Sequence, residues 1–350
     1  MCYHVIHAVD TEGVYGMYNE GVKRDFINAF GMDKWKFRWA TATFNSVERA
    51  EEKLGKDIAE MTADEVGTAL GSSDVTSSAT LANRIPFIAR YKSWCIDNGI
   101  PAVLVRSSDI HVNISDNIRD TMVYSASNLL SIVNEAFPEK SANDSKCIYK
   151  AHLWFAFSGM QDLDSVRVRV SDIDFNQCSV FLDNRMYFFS ELGKRDIRHA
   201  CEMLRFDRIV NGKSRSFKRE DGDKVLRGRE TKNGPADDRS YLVKTLRSAV
   251  RFGFSESGHP GMSYIRIRKS GIFSESFSRE ARGVPVNFYQ VAHDDFVFDG
   301  KTATAGQTKQ KILRRLILSY EKDYEAWKRA FENELKHDFG LENIPHQFEW

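Results

Sequence analysis

One residue, just past a glycine at a predicted helix end, lies where a catalytic or binding side chain would be expected. The segment AFSGMQDLDSVRVRVSDIDF (156–175) predicts the end of an apolar helix, a glycine, an acidic stretch and a strand. Gln161 lies just past Gly159, where a side chain projects from the helix junction. Glutamine is a poor choice for catalysis at such a position, because its amide neither titrates nor carries charge. The type of this residue therefore needs an explanation.

Three aspartates in the same segment could suggest a metal site. Asp164 follows Gln161, and Asp172 and Asp174 flank an isoleucine at the start of the predicted strand. No histidine and no third carboxylate cluster accompanies them, so structural capping explains these residues better than metal binding. The sequence predicts no metal ion and no cofactor.

Basic side chains concentrate in three stretches of a chain whose net charge is only +1. That total excludes no class of partner, because local clusters rather than totals set the affinity for phosphates. Residues 239–269 contain seven Lys and Arg against one acid, residues 205–232 are basic and dotted with glycines, and DKWKFRW (33–39) interleaves bases with aromatics. The predicted phosphate-contacting side chains are Lys34, Lys36, Arg38, Lys213, Arg215, Lys218, Lys244, Arg247, Arg251, Arg266, Arg268 and Lys269.

Each basic stretch also has a purely structural interpretation. Residues 205–232 could be a solvated loop, since runs of charge are usually solvated. Helical spacing makes Trp35 and Trp39 core residues first, with their basic neighbours as candidate backbone contacts. A lone arginine is usually a surface charge, but the position of Arg268 within IRIRK, beside a second basic helix, favours a phosphate contact.

Helical periodicity dominates the first third of the chain. Helices are predicted over 23–30, over 34–54, after Thr62, in RIPFIARYKSWCIDNGIP (84–101) and over 120–137, with a serine-rich loop at 72–80. Pro86 fits only in the first turn of its helix. The polar segment EKSANDSK (139–146) has no periodicity and predicts a linker between domains 1–138 and 147–350.

The second part predicts a mixed but mainly helical domain. It begins with an apolar helix in CIYKAHLWFAFSG (147–159), followed by short strands with a tight turn at Asp183-Asn184 and a helix over 190–204. Residues 205–239 predict a long loop or an extended hairpin, and three helices follow, the last over 307–335. An apolar stripe marks that last helix: Leu313, Leu316, Tyr320, Tyr324, Trp327, Phe331 and Leu335. The predicted fold class is mainly α with a small β-sheet.

Two segments in this order resemble the tyrosine recombinases, the phage integrase family. The first is Gly159-Met160-Gln161 with Asp164 and Ser171-Asp172-Ile173-Asp174, and the second is Ile265-Arg266-Ile267-Arg268 followed by KSGIFSESFSREARGV. The helix in RIPFIARYKSWCIDNGIP is also similar to the Tyr-x-x-Trp-Cys helix of phage-type core-binding domains. The resemblance covers about residues 18–330. It implies a helical SAM-like core-binding domain and an integrase catalytic-like domain that together clamp duplex DNA.

The resemblance also implies catalytic roles that this chain does not fill. In the family, two arginines hold the phosphate oxygens, which only a fixed cation does well. Gln161 replaces the first arginine, Ile265 replaces a histidine, Arg268 keeps the second arginine and His293 corresponds loosely to a third-box histidine. In the family, a lysine in the strand turn acts as general acid. The corresponding turn of this chain has only Asn184-Arg185.

The nucleophilic tyrosine of the family has no counterpart at the expected place. Phe298 lies nearest to that place. Tyr289 is too close to Arg268, and Tyr320 and Tyr324 are too far away and belong to the apolar stripe. The sequence therefore predicts a recombinase-like fold that no longer cuts DNA and is not an enzyme.

Three functions remain open at this level. The first is a sequence-specific regulator that binds operator sites in double-stranded DNA, similar to the integrase-like repressors that keep the lytic genes of some temperate phages silent. The second is an active but divergent recombinase, and the third is a helical adaptor that binds no DNA. The last helix could join copies into a homo-oligomer or pack on its own domain, and a regulatory protein or peptide could be a further partner.

The cellular location is predicted from the lack of a membrane-spanning or signal-peptide pattern in this sequence and from its cysteines. No apolar run approaches the roughly twenty residues that a membrane span needs, which predicts no membrane partner. The start, MCYHVIHAVDTEG, has no signal-peptide pattern. The five cysteines are scattered, which is typical of a reduced compartment. A cytoplasmic, nucleoid-associated protein of a bacterium or phage-infected host is expected.

Overall fold

The computed structural model describes residues 17–31, 34–73, 75, 77–139, 144–210, 213–219, 222–228, 239–296 and 309–348. The chain forms two compact units, Met1–Asn117 and Ile118–Trp350. The division falls before the predicted domain boundary at 138. Leu129, Val133 and Phe137 explain the difference, because their side chains belong to the hydrophobic core of the second unit. Residues 140–143 of the predicted linker lie outside the described residues.

The first unit is helical. Its helices are α1 (Glu20–Ala29), α2 (Lys34–Asn45), α3 (Glu48–Leu54), α4 (Ala63–Gly71) and α5 (Ser78–Asp97), and α6 (Ser115–Thr121) crosses into the second unit. Thr62 begins α4 with a reciprocal capping box to Glu65. Phe26 of α1 lies at the centre of an aromatic core, with edge-to-face contacts to Phe44, Phe87 and Tyr91.

The predicted start of α5 was wrong. The helix begins at Ser78, inside the predicted serine-rich loop, so Pro86 lies in its interior rather than in its first turn. Proline removes one backbone hydrogen bond from a helix interior. Burial of Leu81, Phe87 and Ile88 against the core of the unit offsets that loss. Tertiary packing therefore extends a helix that local rules would end.

The second unit is mainly helical and holds two small sheets. Its helices are α7 (Ala126–Ala136), α8 (Lys146–Phe157), α9 (Asp162–Ser165), α10 (Lys194–Glu202), α11 (Arg239–Glu256), α12 (Tyr264–Glu280), α13 (Tyr289–Asp294), α14 (Lys309–Ala330) and α15 (Glu332–Phe339). Its strands are β1 (Ile173–Asp174), β2 (Ser179–Leu182), β3 (Arg185–Phe188), β4 (Arg205–Val210) and β5 (Lys213–Lys218). The predicted mainly helical class with a small sheet is confirmed.

The strands form two antiparallel sheets. One has the order β1-β2-β3, with Phe181 opposite Met186, and its turn holds Asp183 and Asn184 in the left-handed region. The other is the β4-β5 hairpin, which pairs Arg205 with Lys218. The predicted alternative of an extended hairpin is therefore the one that forms at the start of 205–239. Residues 229–238 lie outside the described part.

Helix α8 forms the centre of the second unit, between α10 and α12. Trp154 of α8 is fully buried and donates its indole N–H to Asp196 at 2.8 Å. Gly271 of α12 lies so close to the end of α8 that an added Cβ would stand 1.7 Å from the carbonyl oxygen of Phe157. The two segments that carry the family resemblance are thus joined through direct backbone contact.

Three of the predicted long helices are interrupted. The helix predicted over 34–54 divides into α2 and α3. The helix predicted over 120–137 divides into α6 and α7, because Ser125 accepts a hydrogen bond from Asn128 N and caps a new helix. The last helix ends at Ala330, and α15 begins after Phe331. The C-terminal part of the apolar stripe is buried in its own unit: Tyr320, Tyr324, Trp327, Phe331 and Leu335. Leu313 and Leu316, at its N-terminal end, are half-buried. Self-association through the last helix stays a prediction.

Within the described ranges, no helix combines the length and the apolar character needed to cross a bilayer.

His152 should make the second unit sensitive to acid. Its ring is fully buried in α8, stacks on Tyr264 with centroids 4.2 Å apart, and lies 3.1 Å from the hydroxyl of Ser165. Burial, with a smaller contribution from the charge of Arg247, lowers the pKa of His152 from 6.5 to about 3. The unfolded chain therefore binds a proton that the folded chain does not, and stability present above pH 6.5 is lost as the pH falls. At pH 5 the free energy of unfolding should be about 2 kcal/mol lower on account of this residue.

The measurement is urea unfolding at pH 7 and pH 5 for the wild type and His152→Leu. The leucine variant should lose the His152 share of the pH dependence. His259→Gln changes a partly exposed histidine of the same unit and should keep it. Equal pH dependence in the wild type and His152→Leu would contradict this account of His152.

Candidate functional site

Gln161 and Arg268 meet at one carboxylate. Gly159 ends α8 with a φ of +86°, and Gln161 follows at the start of α9. The Gln161 amide Nε2 donates to the backbone oxygen of Asp294 at 3.0 Å and to Oδ1 of Asp295 at 3.1 Å. The side chain that sequence reasoning singled out therefore contacts an acidic pair at the end of α13.

Arg268 holds the same carboxylate in a two-pronged ion pair. Its Nη1 and Nη2 lie 2.9 and 2.9 Å from the two carboxylate oxygens of Asp295, and its Nε donates to the backbone oxygen of Gly159 at 2.8 Å. The Arg268 side chain is only 13% exposed. Burial alone would lower the pKa of Arg268, but the hydrogen bonds with Asp295 raise it above its usual value. The guanidinium is thus a fixed cation, and both of its terminal nitrogens already contact the Asp295 carboxylate.

Tyr320 completes the surroundings of Asp295. Its hydroxyl donates to Oδ2 of Asp295. Burial, followed by the Asp295 charge, raises the pKa of Tyr320 above its usual range. Tyr324 is also buried, with its hydroxyl 2.7 Å from Glu280, and burial likewise raises its pKa. A raised pKa opposes formation of the phenolate, so neither tyrosine is activated as a nucleophile.

The neighbouring carboxylate, Asp294, is engaged from the sheet and from its own helix. Arg185, at the start of β3, forms an ion pair with Asp294, and Gln290 Nε2 donates to it at 2.8 Å. His293 is 49% exposed, with Nδ1 3.8 Å from Asp294. Ile265 is exposed to solvent on α12. Phe298 lies outside the described residues, so its predicted correspondence to the nucleophile stays a prediction.

An open cleft of about 710 Å³ borders these groups. Its polar wall contains Gln161, Arg185, Arg268 and Asp294, and its apolar wall contains Phe157, Met186, Phe188 and Ile272. Two of the donors to Asp295, Gln161 and Arg268, therefore border this open space.

The predicted phosphate contacts on α11 and α12 divide into exposed and engaged side chains. Lys244 and Arg251 are exposed on α11, where Arg247 forms an ion pair with Asp162. On α12, Arg266 is half-buried, and Lys269 is 19% exposed and pairs with Asp323. Arg268 and Lys269 are thus neutralised within the chain, and their predicted contacts with DNA stay predictions.

The remaining predicted contacts lie on other elements. Arg215 and Lys218 are exposed on β5, and Lys36 and Arg38 are exposed on α2. The side chains of Lys34 and Lys213 lie outside the described part of the structure. Trp39 packs on Phe87 with ring centroids 4.9 Å apart, in agreement with its predicted place in the core.

Sequence reasoning missed two aromatic side chains on the exposed face of α11. Tyr241 and Phe252 are 63% and 67% exposed. Their spacing places them on the same side of the helix as Lys244 and Arg251. The signal was present in the sequence, because a helix face that combines bases with aromatics does not match a core-facing stripe. The acidic pair Asp294-Asp295 was also missed as a partner of Arg268.

The aspartates considered as metal ligands bond to the backbone or to arginine. Asp172 Oδ2 accepts from Arg169 N at 2.9 Å, and Asp174 Oδ1 accepts from Asn176 N at 2.8 Å. Asp164 pairs with Arg167 at 3.3 Å. In the portion of the chain that the structure describes, no group of three or more His, Cys, Asp or Glu side chains could hold a metal ion.

A segment of the first unit matches a known domain family. Residues 17–97, which span α1 to α5, match the family model described as MrpR, N-terminal core-binding domain. This match supports the resemblance drawn from the sequence. The assignment of the second unit to an integrase catalytic-like domain stays a prediction. No curated protein matches the chain.

Proposed function

We propose that this chain is a double-stranded DNA-binding regulator built on a recombinase-like scaffold that does not cut DNA. The observation that carries the proposal is the core-binding domain at residues 17–97. In the recombinases that this chain resembles, such a domain clamps duplex DNA together with the domain that follows it. Within that class, the role closest to the sequence pattern is that of an integrase-like phage repressor acting at operator sites.

The exposed face of α11 supports DNA binding by the second unit. Lys244 and Arg251 project into solvent from one side of an 18-residue helix, and Tyr241 and Phe252 lie beside them on the same side. Cations on such a face contact phosphates and set the position of the protein on the duplex. Aromatic side chains on the same face can contact thymine methyl groups or base edges. Arg215 and Lys218 on β5 extend the set of exposed bases.

The engagement of Arg268 supports loss of cleavage. Phosphoryl transfer needs cations and donors that stabilise the charge developing on the phosphate. Here the retained arginine is bidentate to Asp295, and the other position holds the neutral amide of Gln161. Two tyrosines of the last helix, Tyr320 and Tyr324, are buried donors to carboxylates. These features fit a protein that binds without turnover.

Binding is tested by fluorescence anisotropy with duplex DNA over a range of salt concentrations. Several phosphate contacts should make the dissociation constant rise by at least about a hundredfold between 50 and 200 mM salt. A helical adaptor that binds no DNA would show no binding or a flat salt dependence, and either result would contradict the proposal. Genome-wide footprinting with the tagged chain would then provide the specific site.

Cleavage is tested on that specific site with a nicked suicide oligonucleotide that traps covalent intermediates. We expect no protein–DNA adduct after denaturing electrophoresis, while the same duplex is bound in the anisotropy assay. A covalent adduct would support the alternative of an active, divergent recombinase. Its tyrosine would then be identified by mass spectrometry of the DNA-linked peptide.

A further inference from the structure

The β4–β5 hairpin forms a ribbon in which like charges lie opposite each other. Its two strands of 6 residues are paired along their whole length, with Arg205 opposite Lys218 and Arg208 opposite Arg215. From Arg205 to Lys218 the sequence has five Lys and Arg against one acid, Asp207. Like charges directly opposite each other destabilise an antiparallel pair, and an isolated hairpin is marginal in water. The ribbon is therefore poorly suited to stand alone and well suited to an anionic partner.

Positive charge is present on both faces of this ribbon. Arg205, Arg215 and Lys218 are exposed. Opposed residues share a face and neighbours along a strand alternate, so Arg205 and Lys218 lie on one face and Arg215 lies on the other. The two strands pack mainly on each other. The ribbon thus presents cations in two opposite directions.

A groove of duplex DNA matches this distribution of charge. Phosphates line both walls of a groove, so a ribbon between them meets anions on each face. The major groove is about 12 Å wide and admits a two-stranded β-ribbon. A flat anionic surface would contact only one of the two charged faces. Charge complementarity therefore favours the groove.

A buried arginine fixes the base of the ribbon. Arg219 follows β5 directly and is 1% exposed. Its Nη1 donates to the backbone oxygens of Ala200 at 2.7 Å and Met203 at 3.1 Å. Its Nη2 donates to the backbone oxygen of Val225 at 2.7 Å, and its backbone N–H donates to that of Leu204 at 3.0 Å. Arg219 therefore ties the ribbon to α10 and to the segment that follows it.

We infer that the β4–β5 ribbon enters the major groove of duplex DNA and that Arg219 is the positioning residue that sets its direction. The inference rests on the proposed DNA-binding function and adds the element that enters a groove. Arg205, Arg215 and Lys218 contact phosphates of the two groove walls. Arg219 does not touch the DNA, because its terminal nitrogens already donate to backbone oxygens.

Replacement of two ribbon cations separates DNA contact from stability. Arg215→Thr with Lys218→Thr removes one cation from each face and introduces residues that favour strands. Because like charges no longer oppose each other, the melting temperature should equal or exceed that of the wild type. The affinity for duplex DNA at 0.1 M salt should fall at least about tenfold, and the slope of log Kd against log salt should fall by about two.

Lys322→Thr with Arg282→Thr is the matched control, because both residues are exposed elsewhere in the same unit. This variant should keep the wild-type salt slope. A slope that is unchanged in Arg215→Thr with Lys218→Thr would overturn the ribbon alone, since the contacts of α11 remain. A chain that binds no duplex DNA would overturn both the ribbon and the proposed function.

Dimethyl sulfate identifies the groove, because guanine N7 lies in the major groove and adenine N3 in the minor groove. On the footprinted site the wild type should protect guanine N7 atoms that Arg215→Thr with Lys218→Thr leaves reactive. Protection confined to adenine N3, or protection that the variant retains, would overturn the assignment to the major groove.

Arg219→Lys tests the positioning role. Lysine keeps the charge but cannot hold three carbonyl groups with a planar fork. The preference for the specific site over random duplex should fall at least about tenfold. The salt slope should stay the same, since the ribbon cations remain. An equal loss of affinity for specific and random duplex would show a merely structural role and overturn the assignment of Arg219.

Discussion

Reversal of Lys244 and Arg251 to glutamate should weaken binding to duplex DNA by about a hundredfold at 0.1 M salt. Both side chains are exposed on one face of α11, where neither has to leave a described ion pair to reach a phosphate. Each lost phosphate contact removes counterion release, so the slope of log Kd against log salt should fall by about two. The loss should be similar for specific and non-specific sequences, since phosphates carry no sequence information.

Lys322 and Arg282 provide the matched control for this experiment. Lys322 is exposed on α14 and Arg282 is exposed just past the end of α12, both in the second unit. Their reversal to glutamate changes the net charge by the same amount as reversal of Lys244 and Arg251. The control variant should keep most of the affinity, because it lacks the contacts and alters only the long-range field. Equal losses in the two variants would mean that α11 is not a DNA-contacting helix. Phe252→Ala should in turn affect specific sites more than random DNA if this aromatic contacts bases.

Gly271→Ala should destabilise the second unit by at least about 3 kcal/mol, or prevent its folding altogether. The new Cβ would lie 1.7 Å from the carbonyl oxygen of Phe157 and 2.5 Å from its carbonyl carbon. These are backbone atoms at the end of α8, so no side-chain rotation relieves the overlap. Separation of α8 from α12 would also pull Arg268 away from the Gly159 oxygen, 2.8 Å from its Nε.

Urea unfolding with hydrogen–deuterium exchange of the peptides from α8 and α12 measures this effect. Gly21→Ala is the matched control, because Gly21 lies in α1 and an added Cβ there meets nothing within 4 Å. That variant should be unchanged or slightly more stable, since alanine is the better helix former. Native stability of Gly271→Ala would mean that the two helices do not approach so closely, and the site built on their contact would have to be reconsidered.

The helices of this chain were largely predictable because their signals are local. The periodicity that predicted the helix in 147–159 and the two basic helices reports which face is buried, and α8, α11 and α12 form there. The interruptions were less predictable. Pro86 can lie inside α5 because tertiary packing offsets the lost backbone hydrogen bond. The break between α14 and α15, which interrupts the apolar stripe, also depends on tertiary packing. The short helix α13 was not predicted at all.

The candidate site shows the same division at the level of single residues. The proximity of Gln161 and Arg268 was expected only because of the family resemblance, which relates segments far apart in the chain. The partner of both, Asp295, is separated from Gln161 by 134 positions, and no periodicity connects them.

By itself, the sequence determined that this is a mainly helical chain with a basic helix and a core-binding pattern. These properties follow from residue type and short-range spacing, which act within one or two helical turns. Only the tertiary structure decided which charges are available. Arg268 and Lys269 belong to the same basic stretch as the exposed Lys244 and Arg251, yet carboxylates from other elements neutralise both. Ion pairing depends on distance in space and on desolvation, and the fold of the whole unit sets both.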